Sequence, residues 1–158
     1  MRYILLLIII IFLISFSCKN FYKSGEGIYY TSRDNKTADL ISVLRSISYS
    51  VAHKIPKKDG NVIKSSLKFT TFKELIGDSP RILAWNYDKG REIAIRIYDS
   101  NGNVYSAEKI IDSLFHELAH TLTKSMGHGY KFQQKEVLLK KHKQLYVNLL
   151  INNTFIDK

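Results

Sequence analysis

Apolar and polar positions change rhythm along this chain, and each rhythm predicts an element. From Tyr3 to Cys18 the residues are uncharged and mostly apolar, with no polar face. A helix over that run would be about 24 Å long, a little short of a bilayer core of about 30 Å. Residues 19–36 are polar and contain glycine, and read as a linker. From Thr37 onward, Leu40, Val43, Leu44, Ile47 and Val51 recur at helical spacing and predict an amphipathic helix over 37–53. Pro56 and Lys57-Lys58-Asp59-Gly60 end it. Residues 61–76 are mixed, with a short strand at Ser66 to Phe72, and Asp78-Ser79-Pro80 is a turn.

The second half is more regular. Ile93, Ile95 and Ile97 alternate with Ala94 and Arg96, a period of two that predicts a strand from Glu92 to Tyr98. Arg81 to Tyr87 reads as its hairpin partner across Asp88-Lys89-Gly90. Asp99 to Asn103 is a second turn, and Ser106 is placed to cap a helix from Ala107 to about Ser125. Ile110, Ile111, Leu114, Phe115, Leu118 and Leu122 form its apolar stripe. A Gly127-His128-Gly129 turn leads to a last helix from Tyr130 to Leu150. Helices mixed with a few adjacent strands predict an α+β domain over 37–152, preceded by an apolar helix and followed by a tail at 153–158.

The predicted helix carries His116-Glu117-Leu118-Ala119-His120, an HExxH motif. Residues four apart share a helix face, so His116 and His120 can hold one ion. Glu117 sits beside that ion, where it can accept a proton from water. Zinc takes four ligands and leaves one position open when it is catalytic. Of the five histidines, His128 is the best third ligand, because its flanking glycines let the backbone turn back sharply. Glu136, on the following helix, is the alternative. Tyr130 follows His128 closely and is a candidate oxyanion stabiliser, with packing as its other reading. Asp112 and Ser113 lie near the histidine face and could orient a ligand. His53 and His142 read as surface residues.

Composition narrows the chemistry. Cys18 is the lone cysteine, which excludes an internal disulfide and a cysteine-based zinc site. A net charge of +10 suits anionic partners, but the basic residues are scattered lysines, so specific nucleic-acid recognition is not favoured. Lys131, Lys135, Lys140, Lys141 and Lys143 read as a solvated helix face or as an electrostatic patch for lipid headgroups or nucleic acid. Residues 1–18 read as a membrane anchor, as a cleaved signal, or as a lipoprotein signal with Cys18 lipidated. The expected location is a membrane, or outside the cell if the segment is cleaved.

Leu114 to Phe132, LFHELAHTLTKSMGHGYKF, resembles the WLM and SprT-like zinc metallopeptidases, whose pattern is HExxH, a short spacer, and a His followed four residues later by Phe. His128 and Phe132 fit that pattern. The resemblance covers roughly residues 80 to 140. It implies a minimal zincin fold with a small antiparallel sheet packed on the active helix, three His ligands, and hydrolysis of peptide bonds in protein substrates. Many relatives act on proteins crosslinked to DNA, so a DNA-associated protease is one alternative. A membrane-tethered binding or structural module with non-catalytic zinc is the other.

Overall fold

The computed structural model describes residues 21–23, 29–77, 79–123, 127–154 and 156. The apolar segment at 1–18 lies outside the described residues. Among the described residues no helix is long and apolar enough to cross a membrane. The chain runs β1 (Phe21–Lys23), β2 (Tyr29–Thr31), α1 (Asn35–Lys54), α2 (Lys57–Leu67), β3 (Thr71–Glu74), β4 (Ala84–Tyr87), β5 (Glu92–Ile95), α3 (Ala107–Leu122), α4 (Tyr130–Lys140) and α5 (Lys143–Asn153).

The architecture is α+β. The five strands form one sheet in the order β1-β2-β3-β5-β4. It is mixed, which corrects the expectation of an antiparallel sheet. β1 and β2 pair antiparallel, as do β4 and β5, but β2/β3 and β3/β5 are parallel. The reason is the connections: two helices lie between β2 and β3, and a helical crossover returns the chain in its original direction, while β5 meets β3 as the return arm of the β4–β5 hairpin. The stretch expected to be a linker supplies β1 and β2.

Two helix boundaries also differ from expectation. Residues 57–67 are helical, although Lys57-Lys58-Asp59-Gly60 reads as a turn. Gly60 stands inside α2 because a Cβ there would overlap the Ala52 carbonyl oxygen of α1. It marks a close helix crossing, which Ile63 and Leu67 extend into the core. The helix expected from Tyr130 to Leu150 is broken at residues 141–142. The break lets the two halves bury different faces, Phe132 and Leu139 on α4 and Tyr146, Val147 and Leu150 on α5. Tyr146 then meets Phe115 edge-on, with ring centres 5.9 Å apart, and donates to Ser50 Oγ at 3.0 Å.

α1 starts where a side chain caps it: Asp34 accepts from Thr37 N at 2.7 Å. α3 starts as expected, with Ser106 accepting from Lys109 N at 3.4 Å. The α3 stripe Ile110, Ile111, Leu114, Phe115 and Leu118 is buried in one core with Leu40, Ile41, Leu44, Ile47, Ile93 and Ile95. α3 is thus the core helix, and its opposite edge faces β4 and α4.

Candidate metal centre

His116 and His120 project from α3 one turn apart, as their i, i+4 spacing requires. His128, five residues past the last turn of α3 at Thr123, completes the group. Its Nε2 lies 3.1 Å from His116 Nε2 and 3.2 Å from His120 Nε2. Three imidazole nitrogens cannot all satisfy one another by hydrogen bonding, since a neutral ring has one donor and one acceptor. Nitrogens held about 2.0–2.1 Å from a common tetrahedral ion would be about 3.3 Å apart, so the spacing fits a shared cation. Among the described residues this is the group of His, Cys, Asp or Glu that could hold a metal.

The glycines beside His128 do not work as expected. Neither takes a left-handed conformation, and a Cβ at either would meet nothing. The return is instead fixed by Phe132 on the first turn of α4. Its buried ring contacts all three imidazoles, edge-on to His116 and His128 and tilted against His120, with centroids 4.9, 4.4 and 4.7 Å from those of His116, His120 and His128.

Glu136, the alternative ligand, faces the other side of His116. Its Oε1 lies 3.0 Å from His116 Nδ1 and 3.1 Å from Lys140 Nζ. A proton on Nδ1 donating to this carboxylate leaves the Nε2 lone pair aimed into the cluster. Burial raises the Glu136 carboxyl, but the bonds to His116 and Lys140 outweigh it and hold it below its ordinary value. Asp112 instead pairs with Lys143 at 2.8 Å, and Ser113 Oγ donates to the Lys109 carbonyl oxygen at 2.9 Å. Burial first, then the neighbouring His116 and His128, depress the pKa of His120 and favour its neutral, metal-binding form.

Glu117 is 4% exposed, and among the described residues its carboxylate has no hydrogen-bond or ionic partner. Burial pushes its carboxyl up to about 7. It lies with the three histidines in an open cleft of about 700 Å³, whose other wall is the edge strand β4 and the turn after it, Ala84 to Lys89. Tyr130 is 74% exposed and is not part of that lining. Tyr87, 63% exposed, is.

Asn86 was invisible to a sequence reading, since an Asn in a short strand carries no pattern. Its side chain faces α3 and joins the strand to the helix that carries Glu117. The lysines of the last two helices are largely engaged: Lys135 holds Asp59 at 2.8 Å, Lys140 holds Glu136, and Lys143 holds Asp112.

The sequence model of the WLM domain matches residues 43–154. No curated protein matches at a significant level. The chain is similar to the crystal structure of Wss1 from Saccharomyces cerevisiae, with a TM-score of 0.45 and 24% identity over 56% of this chain and 73% of that one. It is also similar to the crystal structure of a Wss1 mutant from the same organism, with a TM-score of 0.49 and 17% identity over 80% and 93% of the two chains.

Proposed function

We propose, from the premise that this chain belongs to the WLM domain family, a metallopeptidase-type family, that it is a zinc-dependent endopeptidase held at a membrane by residues 3–18. One observation carries the catalytic reading: three histidine nitrogens converge on the floor of an open cleft, beside a buried carboxyl that no other described residue engages. A closed structural zinc site has four protein ligands, and among the described residues this cluster offers three.

In this reading His116, His120 and His128 hold the zinc. When bound, zinc lowers the pKa of water and polarises a carbonyl group. Glu117 accepts the proton of the attacking water and hands it to the leaving amine. Its burial, which raises its proton affinity, suits both transfers. Glu136 fixes the ring of His116, and Phe132 holds the three imidazoles together. β4 is a sheet edge, so its outer backbone groups are free to pair with an extended peptide lying across the cleft.

The test is Glu117→Gln, which keeps the shape and removes the base. Peptide cleavage by the zinc-loaded protein should fall about 10²- to 10⁴-fold, with zinc content near one per chain and unchanged. Undiminished cleavage by that variant, with contaminating proteases excluded, would overturn the assignment.

A further inference from the structure

The β4–β5 turn is an unusual stretch of backbone set against the helix of the metal centre. Asp88 and Lys89 have φ of 47° and 53°, followed by Gly90 at 102°, so three residues in a row are left-handed. Non-glycine residues adopt that conformation uncommonly, Asp more readily than Lys, and a tight hairpin turn is where they do so. Here the turn is pressed onto two helices. A Cβ on Gly90 would lie 2.9 Å from Thr121 side-chain atoms on α3 and would overlap Ser66 Oγ of α2. The Gly90 carbonyl oxygen accepts from Thr70 Oγ1, and from Ser66 Oγ at 3.4 Å.

Asn86 is the hub of this contact. Its Nδ2 donates to the Glu117 carbonyl oxygen at 2.7 Å and to Thr121 Oγ1 at 2.9 Å. Its Oδ1 accepts from Gly90 N at 2.5 Å. The partners dictate the orientation of the amide, because a flipped group would set its oxygen against the Glu117 carbonyl oxygen. One side chain therefore bonds the strand edge, the turn and the backbone of the residue between the two histidine positions. Beyond it, Tyr87, Asp88 and Lys89 form the cleft wall opposite His116, Glu117 and His120.

We infer that Asn86 is a positioning residue: it locks the β4 edge and its turn at a fixed offset from the three-histidine centre, so that a peptide lying on that edge meets the metal in register. The inference rests on the metallopeptidase reading above. The polar atoms of the Asn86 side chain are taken up by the turn and by α3. Its loss lets the edge drift, and misplacement of about 1 Å at a reacting centre can cost about 10²-fold.

The experiment measures two inhibitors on the zinc-loaded protein. Acetohydroxamate reads the metal alone, and a peptide hydroxamate reads the metal and the edge together. In the parent the peptide should add affinity over acetohydroxamate. In Asn86→Ala that added affinity should fall about 10-fold or more, while acetohydroxamate affinity and zinc content stay unchanged. Asn86→Asp keeps the acceptor for Gly90 N but loses both donors, and should show the same split if the alanine variant does not fold. Thr121→Val removes the Thr121 hydroxyl's own bond to the Glu117 carbonyl oxygen but spares the bond from Asn86, and should lose less than about 3-fold. Equal losses for both inhibitors, or no loss for either, would sink the role of Asn86. A parent that binds zinc but neither inhibitor would instead overturn the metallopeptidase reading on which it stands.

Discussion

Glu117 concentrates the physics of the centre into one carboxyl. It is buried without a partner among the described residues, and burial alone moves it to about 7 from an ordinary 4.5. The unfolded chain gives up this proton first as pH rises, so the folded protein binds more protons over that interval. Stability of the metal-free protein therefore falls from about pH 4.5 and levels off above pH 7. At about 1.4 kcal/mol per pH unit, the full cost is roughly 3 kcal/mol. The metal-free Glu117→Gln protein escapes that cost. It should melt higher than the metal-free parent at pH 8, and the two should converge near pH 4 when followed by circular dichroism. Equal melting at both pH values would show that the carboxyl is hydrated. The histidines teach a related lesson: His116 and His120 were legible from their spacing, but the work of Glu136 on His116 Nδ1 needed α4 to be packed against α3.

At the scale of elements, α3 was readable because its apolar stripe, its Ser106 cap and its motif all agree. α2 was not, because lysines and a glycine at its start resemble a turn. The glycine is there for the neighbouring helix rather than for its own backbone. Gly60→Ala would gain about 1 kcal/mol of helix propensity. The added methyl meets the Ala52 carbonyl, so α1 and α2 must separate, and a net loss of about 1–3 kcal/mol is expected in urea denaturation. Gly127→Ala is the contrast, since nothing lies within reach of its Cβ, and it should be nearly neutral. A stabilised Gly60→Ala protein would mean that the helix crossing is looser than described. The break between α4 and α5 has the same origin: Phe132 and Tyr146 are drawn to different parts of the core, which no single straight helix can serve.

At the scale of the whole molecule, the N-terminal strands are tied to the domain. Arg33 donates to the buried Glu74 carboxylate from its backbone N at 2.7 Å and from Nε at 2.8 Å, and its guanidinium lies 3.8 Å over the Tyr98 ring. Burial raises the Glu74 carboxyl, and its bonds to Arg33 offset only part of that rise. If residues 1–18 anchor the chain as proposed, the native protein should sediment with membranes through a high-salt wash, and deletion of residues 2–18 should release it. A fully soluble native protein still bearing Met1 would refute the anchor.

The sequence by itself determined the α3 helix, its cap, the β4–β5 hairpin and the convergence of His116 with His120, because each depends on residues near one another in the chain. The Leu114 to Phe132 pattern also pointed to the family. Only the tertiary structure decided the mixed sheet, since strand direction follows from which elements lie between strands. It alone showed Phe132 packed against three imidazoles, Tyr130 turned to solvent, and Asn86 bonded to α3 from 31 residues away. These contacts join segments that share no periodicity, and they form where the edge strand and α4 both pack on α3.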